Sequence, residues 1–176
     1  MSDALPPPRR PGHYSIAVVC LGNICRSPMA HVVLTSALAD AGLDDRVEVV
    51  SAGTGDWHVG GPMDRRAAAV LTSHGYDASQ HRAQQFEPSW HDEHDLVLAM
   101  DAQNHADLTE LRGLADELTG TERRLRLFRE FDPLADDGDR DVPDPYYGGD
   151  DGFDHVMAIV RRTAHALVEE LARTLG

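Results

Sequence analysis

The apolar run Ile16-Ala17-Val18-Val19-Cys20 passes directly into Leu21-Gly22-Asn23-Ile24-Cys25-Arg26-Ser27 and then Pro28-Met29-Ala30, and no other stretch constrains this chain as much. An unbroken apolar run of this kind reads as a strand buried on both faces, as in parallel sheets. Pro28 suits the first turn of a helix, and Ala30, Val32, Val33, Leu34, Ala37 and Leu38 supply that helix with an apolar face. A strand feeding a helix through a short polar loop gathers backbone N–H groups and the positive end of the helix dipole around one point, where anions bind. Cys20 opens the loop and Arg26 follows six residues later. The donors and the cation both favour thiolate over thiol, so the loop predicts a nucleophilic cysteine on an anion site.

The rest of the chain alternates in the same manner. Strands are predicted over Tyr14 to Val19, Arg46 to Ser51, Asp95 to Met100 and Leu125 to Phe128. Helices are predicted from the loop to Ala41, from Pro62 to Ser73, from Ala102 to Leu111 and from Phe153 to Leu175. This pattern implies an α/β, three-layer doubly wound fold with a four-stranded parallel sheet in the order 2-1-3-4. Its switch point lies between strands one and three, which places Cys20 and Asp101 at the same edge of the sheet.

The length of 176 residues suits one domain spanning 13–176, preceded by a Pro-rich, extended or disordered extension over 1–12. A net charge of −14 argues against nucleic acid, and no apolar run is long enough to span a bilayer. All 16 basic residues are Arg, which excludes a Gly-Lys-Ser/Thr nucleotide loop. Two cysteines five apart cannot staple a domain of this size, and a functional thiol needs a reducing compartment, so a cytoplasmic location is expected.

The run Cys20-Leu21-Gly22-Asn23-Ile24-Cys25-Arg26-Ser27-Pro28-Met29-Ala30, joined far downstream by Asp144-Pro145-Tyr146-Tyr147-Gly148, resembles the signature pair of the low-molecular-weight protein tyrosine phosphatases of bacterial type. The resemblance implies a hydrolase that takes phosphate from phosphotyrosine-containing proteins and releases it as free phosphate, without cofactor or metal, as a monomer. Cys20 would be the nucleophile, Arg26 the phosphate ligand and Asp144 the general acid and base. The backbone of Leu21, Gly22, Asn23, Ile24, Cys25 and Ser27 would complete the phosphate cradle, with the Ser27 hydroxyl donating to the sulfur. Trp57, Tyr146 and Tyr147 would wall the substrate crevice; the alternative for Trp57 is a cap folded over its own glycine-rich loop. In the family a histidine at the place of His81 bonds the loop asparagine, here Asn23. Asp101 is a helix N-cap and, beside the site, a loop-supporting residue. Cys25 is either a buried filler or a disulfide partner for Cys20 under oxidants.

Other polar clusters read more plainly. Trp90 to Asp95 is expected as an exposed polar helix face rather than a metal site, and Asp136, Asp137, Asp139 and Asp141 as solvated carboxylates that do not match a calcium loop. His31 and Val50 depart from the family's pattern, each standing where an acidic residue is common. Three competing readings share the loop: an arsenate reductase using external thiols, since no cysteine follows Cys25; a phosphoarginine phosphatase, where a threonine would replace Ile24; and a catalytically silent phosphotyrosine-binding module.

Overall fold

A computed structural model of the chain describes residues 5–112 and 124–176. In chain order they form β1 (Tyr14–Cys20), α1 (Arg26–Asp40), β2 (Val47–Gly53), α2 (Arg65–Ser73), α3 (Trp90–Glu93), β3 (Leu96–Ala99), α4 (Ala102–Arg112), β4 (Leu125–Leu127), a 3₁₀ turn (Phe128–Phe131) and α5 (Asp150–Leu175). The four strands make one parallel sheet in the order β2-β1-β3-β4. Cys20 is in register with Gly53, and Ile16 with Leu96, so β1 is central and its carboxyl end emerges between β2 and β3.

The strand period of two sorts the core into two layers. Ile16, Val18, Leu96 and Leu98 face one way and pack with Met29, Leu34, Leu71, Val156, Ile159 and Leu167 of α1, α2 and α5. Ala17, Val19, Val97 and Ala99 face the other way, toward Phe86 and Leu108. The second layer is the thinner, since small side chains on β1 and β3 let α4 lie close. Each fully buried Leu, Ile or Val contributes about 1.5–3 kcal/mol, so the contiguous first layer supplies most of the apolar driving force.

Several boundaries differ from the sequence reading, among them α2, which begins at Arg65 rather than Pro62, and β2, which runs to Gly53 rather than Ser51. Helix α1 starts at Arg26 and so carries Pro28 in its first turn as expected; Cys25 precedes it as a non-helical N-cap at φ −121° and ψ −82°, its carbonyl accepting the Met29 N–H at 3.1 Å. β4 stops at Leu127, where the Glu130 carboxylate takes the Leu127 N–H at 2.9 Å and starts the 3₁₀ turn. α5 begins at Asp150 rather than Phe153.

Residues 5–8 have no regular structure, and Pro11-Gly12 form a turn into β1, closed by the His13 N–H on the Arg10 carbonyl at 3.1 Å. The segment is docked: Leu5 is buried, the Tyr14 hydroxyl donates to the Pro6 carbonyl at 3.0 Å, and Arg9 N–H donates to Asp95 Oδ1 at 2.7 Å. The Arg9 guanidinium adds bonds to the carbonyls of His94 and His91 at 3.2 and 3.1 Å. Residues 1–4 of the expected extension, and Arg123, lie outside the described residues.

The stretch expected as an exposed polar face is exposed at Asp92 and Glu93 only, while His91, His94 and Asp95 are buried. His91 bonds the Leu108 carbonyl at 3.0 Å, and His94 Nδ1 meets Ser15 Oγ at 2.5 Å, with Phe86 and Trp90 packed edge-on between and beside them. His91 on this four-residue helix and His94 at its end turn inward, where they satisfy a backbone carbonyl and a strand hydroxyl group.

Candidate active site

The loop between β1 and α1 wraps the Cys20 sulfur. Ser27 Oγ lies 2.9 Å from Cys20 Sγ, and the Asn23 N–H donates to the same sulfur at 3.3 Å. Asn23 is fully buried and sits at φ 57°, in the left-handed region that asparagine tolerates better than most side chains. Its side-chain amide is fully engaged: Nδ2 donates to Ser27 Oγ at 2.8 Å and to Ser51 Oγ at 3.1 Å, and Oδ1 accepts the Gln84 N–H at 2.9 Å. His81 Nε2 donates to the Asn23 backbone carbonyl at 2.7 Å, which fixes the proton on that nitrogen. Burial lowers the His81 pKa, and it lowers that of His31 as well, with His81 adding to the effect.

The end of β2 supports the loop from the side. Thr54 and Gly55 N–H groups donate to the Cys20 and Leu21 carbonyls, each at 2.9 Å. A Cβ at Gly53 would stand 2.7 Å from the Leu21 oxygen and 3.0 Å from the Asn23 nitrogen, so only glycine permits this approach.

Arg26 is buried at the first position of α1, with NH1 donating to Asp101 Oδ2 at 2.6 Å and to the Val142 carbonyl at 3.0 Å. Its NH2 lies 3.5 Å from Asp144 Oδ2. Burial opposes the guanidinium charge, but Cys20, Asp101 and Asp144 outweigh it and raise the Arg26 pKa further. Asp101 serves two groups at once, since Oδ1 accepts the Asn104 N–H at 2.7 Å and caps α4. Asp144 does likewise: Oδ1 accepts the Tyr146 N–H at 3.0 Å in a local turn, and Oδ2 faces Arg26.

Cys20, Leu21, Gly22, Ile24, Cys25, Arg26, Asp144, Trp57, Tyr146 and Tyr147 line one cavity of about 440 Å³. Asn23 and Ser27 stand behind it, as do His81 and Asp101. Trp57 is largely exposed, and its ring lies over Gly55, where a Cβ would come within 1.8 Å of it. The ring therefore caps its own loop and lines the cavity together. Cys25 is buried, and burial together with nearby Asp64 pushes its thiol well up, which keeps it protonated beside Cys20. Both cysteines are free thiols.

Two features escaped the sequence reading. His58 lines the same cavity, its ring 3.2 Å from where a Gly22 Cβ would be; its position next to Trp57 in a glycine-rich loop was the available signal. The four carboxylates of the acidic loop are exposed, as expected of solvated groups, but three of them also find partners. Asp139 pairs with Arg129 at 3.1 Å, Asp137 with Arg140 at 2.6 Å, and Asp141 Oδ1 accepts the Ala102 N–H at 2.9 Å. Only Asp136 keeps to local turn bonding, to the Gly138 N–H.

Comparisons with known proteins agree on one family. The model of the family described as low molecular weight phosphotyrosine protein phosphatase matches residues 15–175. A low molecular weight protein-tyrosine-phosphatase of Streptomyces coelicolor is 48% identical over 158 residues, which is 88% of this chain and 92% of that relative. Low molecular weight protein-tyrosine phosphatase A of Mycobacterium tuberculosis is 47% identical over 145 residues, 82% of this chain and 83% of that one. The crystal structure of YfkJ from Bacillus subtilis superposes with a TM-score of 0.83 at 30% identity, covering 93% of this chain and 98% of that chain. With the family match running through nearly the whole fold, this chain belongs to the low-molecular-weight protein tyrosine phosphatases, a family of hydrolases.

Proposed function

We propose that this protein hydrolyses phosphotyrosine in protein substrates through a phosphocysteine intermediate on Cys20. The observation that carries the reading is the convergence of Cys20, Arg26 and Asp144 on one cavity, with Arg26 reaching the Asp144 carboxylate from the helix that follows the cysteine loop. The Cys20 thiolate attacks phosphorus in line; the S–P bond forms as the P–O bond to the phenol breaks, and Asp144 gives its proton to the departing oxygen. Backbone N–H groups of the loop and the fork of Arg26 hold the remaining phosphoryl oxygens, a planar match that lysine lacks. Water then attacks phosphorus, Asp144 takes its proton, and sulfur leaves as thiolate while Ser27 Oγ donates to it, releasing phosphate.

Trp57, Tyr146 and Tyr147 surround a flat ring at the depth of Cys20, and a shorter phosphoserine would not span that wall. The chemistry requires Cys20 reduced, which suits a cytoplasmic compartment. Phosphate release from a phosphotyrosine peptide in the presence of a chelator, by wild type but not by Cys20→Ser, is the expected result. Release that disappears with the chelator, or persists in Cys20→Ser, would overturn it.

A further inference from the structure

Resting on the phosphatase reading above, we infer that Arg66, clamped by Asp64, is a positioning residue that holds the Asp144 loop in register with the cysteine loop. Asp64 caps α2, and its backbone N–H donates to the Ile24 carbonyl at 2.8 Å, which fastens the clamp to the cysteine loop. Its carboxylate takes Arg66 Nε at 3.2 Å on Oδ1 and NH2 at 3.1 Å on Oδ2, a two-point grip that fixes the plane of the guanidinium. From that plane Arg66 reaches the loop that carries Asp144. NH2 donates to the Tyr146 carbonyl at 3.0 Å and NH1 to the Gly148 carbonyl at 3.4 Å. The guanidinium also lies 4.7 Å from the Phe153 ring centre and 5.6 Å from that of Tyr146.

The contacts close a circuit between the cysteine loop and the acid loop. Ile24 holds Asp64, Asp64 holds Arg66, Arg66 holds Tyr146, and the Tyr146 N–H holds Asp144 Oδ1, whose other oxygen returns to Arg26 two residues beyond Ile24. Burial alone would raise the Asp64 pKa, but hydrogen bonds from Arg66 outweigh it and keep the carboxyl below its ordinary range, so the clamp stays charged at neutral pH. Lysine could supply the charge but neither the fork to Asp64 nor the flat face toward Phe153. About a third of the Arg66 side chain remains exposed, and such pairs add little to folding stability. What the clamp does fix is where the acid and its tyrosine wall stand relative to Cys20.

The test compares full-length wild type, Arg66→Ala, Arg66→Lys, Asp144→Asn and the Arg66→Ala/Asp144→Asn double variant, each checked by thermal melting. The substrates are a phosphotyrosine peptide, whose leaving phenol titrates near 10, and p-nitrophenyl phosphate, whose leaving group departs without help. Arg66→Ala is expected to lower kcat/KM for the peptide about 10- to 100-fold, as a displaced catalytic group does, and to leave p-nitrophenyl phosphate nearly unchanged. Arg66→Lys recovers only part of the loss, and the double variant is no slower on the peptide than Asp144→Asn. Equal losses on both substrates, or losses that add in the double variant, would overturn the inference. A slow Asp144→Asn beside an unaffected Arg66→Ala overturns the clamp alone, whereas an unaffected Asp144→Asn overturns the acid and the clamp together. Should Arg66→Ala melt early, Arg66→Lys carries the same comparison.

Discussion

The cysteine loop and the acid loop meet in one cavity but are built on opposite principles. Between Cys20 and Ser27 most of the loop is buried, and its Asn23 is held by short neutral bonds to Ser51 and from Gln84 and His81, with Gly53 pressed against the loop. Between Asp132 and Gly148 the chain is mostly open to solvent and held largely by guanidinium groups, with buried Val142, whose carbonyl accepts from Arg26, as its inner pin. At the near end, fully buried Asp132 takes Arg129 at 2.9 Å and Arg162 at 2.8 Å, and Arg129 also bonds the Asp141 carbonyl. At the far end stands Arg66. A nucleophile must be preorganised to fractions of an ångström, which packed neutral bonds accomplish; an acid that must exchange its proton with water needs a looser, wetter mount.

Replacing Cys20 breaks the comparison most completely. Cys20→Ser is expected to lose at least about 10⁴-fold in phosphate release while melting as wild type does, because it removes the reacting atom and leaves both mounts standing. Next in size is the anchor of the acid loop. Asp132→Ala leaves Arg129 and Arg162 without their shared partner and should cost about 3 kcal/mol in urea unfolding, toward the low end for buried pairs because Arg162 keeps some water. A loss under about 1 kcal/mol would mean that the arginines are not what holds this loop.

The matching change on the other side is Asn23→Ala, which strands Ser27, Ser51 and the Gln84 N–H and should cost about 1–3 kcal/mol. Asn23→Gly loses the same bonds without the left-handed strain of alanine, so it should be about 1 kcal/mol less damaging.

Acid separates the mounts further. Burial would raise the Asp132 pKa, but bonds from Arg162, the Leu134 N–H and Arg129 outweigh it and hold the carboxyl below its ordinary range. A lowered folded pKa adds stability at pH above the unfolded value near 3.9, and that contribution is lost as pH falls through the folded value. Hydrogen exchange, corrected for its intrinsic pH dependence, should therefore show the amides of residues 134–148 losing protection on acidification before those of residues 21–27. Simultaneous loss would contradict the division. The smallest effect concerns the crevice. Gly55→Ala must move the Trp57 ring and should raise KM for phosphotyrosine about 3- to 10-fold, with kcat little changed.

Periodicity and loop chemistry made the sheet order, the switch point and the cavity's main residues legible, because a buried parallel strand and a Cys–Arg loop write themselves locally. Partners distant in sequence were not legible. Asp141 capping α4 and Asp139 on Arg129 depend on where an acidic loop happens to come to rest, and every Asp in Asp136 to Asp141 looks alike from the chain. His91 and His94 escaped for a related reason: their neighbours are charged, and the partners that turn them inward, the Leu108 carbonyl and Ser15, are distant in sequence. Trp57 stayed undecided because capping and lining are one position for a ring that lies over a glycine.

The docked segment at residues 5–12 fixes where this molecule can be held. Arg9 is tied to Asp95 at the amino end of β3, and Ser15 shares that carboxylate, while Cys20 lies at the other end of β1. At about 3.3 Å of rise per residue, the anchor and the sulfur are separated by roughly 17 Å along the length of β1. A fusion partner, resin linker or surface tether attached ahead of residue 5 is thus carried on the rear of the protein, with the cavity mouth turned outward.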